Sequence, residues 1–314
     1  MVRRWTRCAA RAVLDAAVSP AAPMAIVAIM NNEKIDHLWQ TFLANRDPRI
    51  IERLMQHSVT LLEPESSEAA ELRGLLLLGG DGDVPFAEDS PWGVPTGAGL
   101  VNALEHVWAP VAGCSPRFLA ALRAEVLGLA LVALEGEYLL GYLHVHGGLS
   151  DLSGEPPRDL ADVPPDYPDV LWATAPTRLN PTDVVPTLAE PLPAPVRDLT
   201  AVHASLASSD IDLRLDRFTT TLGASIRANY AGEDPADYDE TDDFVRAVNG
   251  EFDRRILFCT CRSAAEAYFL DMADRDPDDI PRVALSGVDG TSEQPGTPFW
   301  EWVDEALPSL LFCR

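Results

Sequence analysis

The chain has 314 residues, 47% hydrophobic and 23% charged, the balance of a globular protein long enough for one large or two ordinary domains. Its net charge of −25 repels nucleic-acid phosphates and anionic membrane surfaces, so neither nucleic acid nor membrane is expected as a partner, and the charge serves either a basic protein partner or simply solubility. The five cysteines (Cys8, Cys114, Cys259, Cys261, Cys313) contain no C-x-x-C pair, which argues against a zinc ribbon or a thioredoxin-type site and fits a reducing cytoplasm.

Residues 1–33 read as a basic leader or an over-extended start, with Arg3, Arg4, Arg7 and Arg11 against Asp15. Lys34 is the only lysine, which rules out a lysine nucleophile beyond it. No apolar run reaches the ~18–20 residues of a membrane span. From Lys34 the spacing turns helical: Ile35, Leu38, Trp39, Phe42 and Leu43 share one face, Asp47-Pro48 stops that helix, and Ile50, Ile51, Leu54 and Met55 mark a second. Leu75–Leu78 is a short apolar run. The Gly79-Gly80-Asp81-Gly82-Asp83 stretch after it lacks GK[ST] and GxGxxG, and its acids would repel phosphate, so it reads as a turn.

Ser115-Pro116 opens a helix with Ser as N-cap, a stripe of Phe118, Leu119, Leu122 and Val126, and Gly128 as its end. Leu129–Leu134 and Tyr138–Val145 flank Glu135-Gly136-Glu137 as strand, tight turn and strand. The second of these strands carries His144-Val145-His146. Histidines at i and i+2 of a strand face one way and can hold a divalent metal, and Glu137 or Asp151 could then serve as ligand or base of a metal-dependent hydrolase. The remaining His37, His57, His106 and His203 have no ligand-like spacing, so no metal, cofactor or catalytic residue is assigned. Residues 159–190 form a Pro-rich linker interrupted by Val170-Leu171-Trp172-Ala173, either one strand or a docked anchor.

Residues 34–158 thus read as one α+β domain and 191–314 as another. In the latter, Leu192, Val196, Leu199, Val202, His203 and Leu206 follow helical spacing. Leu215, Phe218, Leu222, Ile226 and Tyr230 suggest a second helix. Asp234-Pro235 starts a third, with Tyr238, Phe244, Val245 and Val248 inward and Asn249-Gly250 as its stop. Ile256–Thr260 and Ala267–Leu270, joined by Arg262–Ala265, read as a central antiparallel hairpin because neither run contains Pro, and Cys259 and Cys261 share one strand face as small buried side chains. Arg282–Ser286 is a third strand, 287–296 a surface loop, and Thr297-Pro298 opens a closing helix with Phe299, Val303, Leu307 and Leu310 on its apolar side.

Three stretches, LPAPVRDLTAVH from Leu192, RRILFCTCRSAAEAYFLDM from Arg254 and TPFWEWVDEAL from Thr297, resemble in order the early helix, paired core strands and closing helix of the SUKH superfamily, the cell-wall-assembly-regulator-like proteins common among bacterial immunity proteins. The resemblance covers about the last 124 residues. It implies an antiparallel sheet with packed helices and a non-enzymatic protein that binds and neutralises a partner, such as a basic toxin. The candidate contacts are an acidic helix (Asp237, Asp239, Glu240, Asp242, Asp243) and an acidic turn (Asp271, Asp274, Asp276, Asp278, Asp279). A third reading is a structural component of a larger assembly, anchored by Trp172, Trp300 and Trp302.

Overall fold

The computed structural model describes residues 32–45, 47–62, 70–80, 84–145, 168–179, 184–185, 190–208, 210–215, 221–261, 266–287, 290–291 and 296–312. The basic start, Asp81–Asp83, His146, Asp151, Phe218 and the Arg262–Ala265 connection lie outside these residues. The fold is α+β with antiparallel strands, and the chain divides into two compact units. The first holds the described residues through Thr177 together with 201–208 and 303–312; the second holds 178–200 and 210–302. No helix among the described residues is long and apolar enough to cross a membrane.

In the first unit, helices α1 (Asn32–Asn45) and α2 (Pro48–Leu62) break at Asp47-Pro48, where the Asp47 carboxylate accepts the Arg49 backbone N–H at 3.0 Å. Strands β1 (Glu71–Leu77), β2 (Gly128–Leu134), β3 (Glu137–Val145), β4 (Pro168–Thr174) and β7 (Ser205–Ala207) lie side by side in that order. Val170–Ala173 is therefore a strand of the sheet, its Trp172 paired with Gly141. The β2–β3 turn places Glu135 at φ 52° and Gly136 at φ 89°, the positive pair that a two-residue hairpin loop needs to match strand twist. One sheet face packs Leu143, Val145, Val170 and Trp172 under Trp39, Phe42, Ile51 and Met55 of α1 and α2. Tyr142 of the other face meets α3 (Leu100–Trp108) through Trp108, which in turn packs on Phe118 of α4 (Pro116–Glu125). Covered on both faces, β2 and β3 read as near-continuous apolar runs rather than as alternation.

Along β1 runs residues 84–87, with Leu75 N–H donating to Val84 O at 2.8 Å and Ala87 N–H to Arg73 O at 3.0 Å. The close approach rests on Gly74: a Cβ there would lie 2.7 Å from the Phe86 Cα.

The second unit is built on β8 (Ile211–Arg214), β9 (Arg255–Cys261), β10 (Glu266–Arg275), β11 (Pro281–Gly287) and β12 (Gly290–Thr291), with β13 (Thr297–Pro298) also on β11. Between β9 and β10, Glu266 faces Cys261 and Asp271 faces Arg255, so the Pro-free hairpin is central as its composition indicates. A bulge gives β9 one extra residue at Phe258, since Tyr268 pairs Cys259 while Phe269 pairs Leu257. Ala267 and Phe269 support Leu222, Ile226, Phe244 and Ala247 of helices α6 (Leu222–Asn229) and α7 (Asp243–Val248), with Phe252 at the centre. Phe258 and Tyr268 instead pack on Trp302 at ring separations of 5.0 and 5.3 Å. Cys259 and Cys261 are buried thiols, and the Cys261 thiol donates to Asp210 at 3.6 Å. A small hairpin, β5 (Val184–Val185) with β6 (Glu190–Pro191), precedes α5 (Ala194–Thr200).

Several expectations change. Helix α5 stops at Thr200, so Val202 and His203 leave it and Leu206 sits on β7, because the polar Thr200 hydroxyl turns back to Arg197 O at 2.8 Å. The 234–249 helix is two pieces, a 3₁₀ turn at Pro235–Asp237 and α7, since Asp242 is itself an N-cap that accepts the Phe244 N–H at 2.8 Å; Val248 then points outward. Gly128 begins β2 rather than ending α4. Ser115 does not cap α4: its hydroxyl donates to Val111 O, and the cap comes from far along the chain.

Candidate functional site

The acidic stretch 233–243 has seven carboxylates in eleven residues and no cation. It is tied down from within. Asp234 accepts the Ala236 N–H at 2.9 Å, Asp242 accepts that of Phe244, and the Tyr238 ring stands edge-on to Tyr230 and Phe244 at 5.7 and 5.3 Å. Partial burial, followed by the charges of Glu233 and Asp242, raises the Tyr238 hydroxyl above its ordinary pKa. Asp237, Asp239 and Glu240 remain exposed, with no ion pair among the described residues. Asp243 is half-buried and pairs with Arg246 at 3.2 Å, and Arg246 Nε also donates to Glu251 at 2.8 Å, holding that carboxyl below its usual range.

The acidic turn is more internal. Asp271 is buried: one oxygen accepts from Arg255 Nε at 2.8 Å and the other from the backbone N–H groups of Ala273 and Asp274 at 3.0 and 3.2 Å. Asp274 accepts the Gly296 N–H and pairs with Arg282 at 3.6 Å. Asp276 accepts the N–H groups of Asp278 and Ile280, both at 2.9 Å, which closes the turn as an Asx motif. Asp278 and Asp279 face solvent, Asp279 at φ 62° and 3.5 Å from Arg275. Asp271, Asp274 and Asp276 thus build the turn, while Asp278 and Asp279 stand exposed on its outside.

The two acidic sets share one core residue. The guanidinium carbons of Arg246 and Arg255 lie 4.8 and 5.2 Å from the Phe252 ring centroid, so Asp243 and Asp271 are each paired with a cation that rests on the same buried ring.

The histidine strand looks different. His144 is 1% exposed, its ring edge-on to Phe312 at 5.3 Å and its Nδ1 3.2 Å from Val145 O. Glu137 lies at the far end of the same strand, about 23 Å away at strand rise, so it shares no site with His144. No group of three or more metal-ligating side chains occurs among the described residues. Trp172 and Trp302 are core residues, at 3% and 2% exposure, and only Trp300 of the three candidate anchors is partly exposed.

No protein-family model, curated protein or solved structure matches this chain.

Two arrangements escape sequence reasoning altogether. The N-terminus of α4 is capped by Asp304, whose Oδ1 accepts the N–H groups of Arg117 and Phe118, the latter at 3.0 Å, while Glu305 pairs with the Arg117 side chain. The second is a largely buried polar cluster in the first unit. Trp108 Nε1 donates to the Tyr142 hydroxyl at 3.0 Å, that hydroxyl is 2.6 Å from His203 Nε2, and His203 Nδ1 is 3.3 Å from Thr174 O. Trp92 Nε1 donates to Val202 O at 3.1 Å and lies 3.2 Å from His203 Nδ1. Burial holds His203 down to about 3 and drives the Tyr142 hydroxyl far up. A histidine just past a short helix, flanked by Val202 and Ala204, was the available signal, but its tyrosine partner stands 61 residues earlier.

Proposed function

We propose that this chain is a non-enzymatic protein-binding protein of immunity or regulatory type, with a SUKH-like C-terminal part, whose acidic surface takes a basic protein such as a toxin. The observation that carries the reading is the 233–243 segment, which presents Asp237, Asp239 and Glu240 to solvent from a backbone held by two carboxylate caps and the Tyr238 ring. Fixed carboxylates of one sign raise the encounter rate with a cationic partner and reject anionic ones, and they do so without the ordering cost of a flexible tail. Asp278 and Asp279 add to the same field. The resemblance of RRILFCTCRSAAEAYFLDM and TPFWEWVDEAL to SUKH core strands and closing helix supports the immunity-type assignment, and the buried thiols of Cys259 and Cys261 suit a cytoplasmic setting.

The test is capture from native lysate at low and high salt by the tagged full chain and by the triple variant Asp237→Asn/Asp239→Asn/Glu240→Gln. The expected result is a stoichiometric basic protein retained at low salt, with an association rate roughly tenfold slower for the triple variant. Retention indifferent to both salt and the triple substitution, or the absence of any stoichiometric partner, would sink the reading.

A further inference from the structure

A neutral His203 ring satisfies the buried cluster best with its proton on Nδ1. If His203 carries its proton on Nδ1, that N–H donates to Thr174 O, Nε2 accepts the Tyr142 O–H across 2.6 Å, the Tyr142 oxygen accepts the Trp108 N–H, and the Trp92 N–H goes to Val202 O. With the proton on Nε2, Nδ1 accepts the Trp92 N–H at 3.2 Å, but Nε2–H then points at the Tyr142 oxygen and the Tyr142 hydroxyl proton loses its acceptor. A doubly protonated ring strands the same hydroxyl proton and adds a cation, 1% exposed, among Trp92, Trp108 and Tyr142. The titratable and charged groups around it are few. Strand β3 presents Tyr142, β4 presents only the Thr174 carbonyl, and α3 presents Trp108 together with His106, which lies on the exposed side and bonds Trp92 O at 3.1 Å. Among the described residues no carboxylate hydrogen-bonds the ring.

His203 sits on Val202–Ala207, a short return of chain into the first unit that ends in β7, where Leu206 and Ala207 pair with Ala173 and Trp172. We propose that this socket is an acid-operated latch: the ring accepts a second proton only when the Val202–Ala207 segment leaves the Trp92, Trp108 and Tyr142 side chains, so acid releases the segment. The closed state binds fewer protons than the open one between pH ~6.5 and 3, so the latch is fully closed above the ordinary histidine range and loosens as pH falls through it.

The test is amide hydrogen exchange at Leu206 and Ala207 in the full chain, corrected for the intrinsic pH dependence of exchange, at pH 7 and pH 5. The open-to-closed ratio is expected to rise roughly 25-fold in the wild type, from the proton-uptake linkage of one histidine, and to stay level in His203→Gln, whose amide offers Tyr142 an acceptor and Thr174 a donor but takes up no proton. Equal pH dependence in both proteins, or none in the wild type, overturns the latch. Imidazole nitrogen resonances of the wild type give the answer even if the variant fails to fold. The folded His203 is expected to keep Nδ1–H and a bare Nε2 down to pH 5, and a folded ring that becomes doubly protonated in that range overturns the proposal.

Discussion

In the first unit Trp92, Trp108, Tyr142, Thr174 and His203 meet with no formal charge among them. In the second, Arg255 pairs with buried Asp271, Arg254 and Arg275 both reach Glu190, and Arg246 divides itself between Asp243 and Glu251. The same requirement, that polar groups withdrawn from water be paired, is met by neutral hydrogen bonds in one unit and by ion pairs in the other. The difference predicts different weaknesses: the neutral cluster ignores salt and responds to acid through one ring, whereas the charged network is partly wet and responds to ionic strength.

The comparison is broken most severely at Phe252, the ring that carries both guanidinium groups. Phe252→Ala is expected to lower stability by roughly 3–5 kcal/mol in urea unfolding, with lost amide protection centred on β9 and β10 and little change in β2 and β3. A loss below about 1 kcal/mol would mean that the ring is not the keystone of that network. Tyr142→Phe comes next. It leaves the Trp108 N–H and His203 Nε2 buried without their partner, for an expected loss of about 1–3 kcal/mol that is the same in dilute buffer and in 1 M salt. Asp271→Asn should cost about 1–2 kcal/mol, because the pair with Arg255 is 10% and 21% exposed, and here the gap to wild type should narrow at 1 M salt. A salt response in Tyr142→Phe equal to that in Asp271→Asn would erase the contrast. The smallest effect is Asp242→Ala, a lost N-cap worth about 1 kcal/mol, visible as faster amide exchange in α7.

What the sequence discloses follows from range. The β2–β3 and β9–β10 hairpins are legible because turn residues and apolar runs sit within twenty residues of each other, and α1 and α2 because Asp47-Pro48 punctuates a helical stripe. Within the acidic segment, Thr241-Asp242-Asp243 carried a second cap signal that divides the helix drawn through it, a local cue outweighed by the earlier Asp234-Pro235. Of the acidic candidates, the sequence cannot separate Asp239, which meets solvent, from Asp271, which meets Arg255 across the hairpin: both are aspartates in acidic company, and only strand pairing brings Arg255 opposite. The Tyr142–His203 bond and the Asp304 cap on α4 join residues 61 and about 187 apart, distances at which single-sequence periodicity carries no information.

The 84–87 segment on β1 has a consequence for solubility. A terminal strand with a bare row of N–H and C=O groups is a template on which another chain can build, and β1, apolar from Leu75 to Leu77, would be a sticky one. Val84 and Ala87 occupy that row, and they can do so only because Gly74 lets Phe86 settle against the strand backbone. A single methyl group at position 74 would collide with Phe86 and lift this cover, leaving the apolar β1 edge open to pairing with another chain.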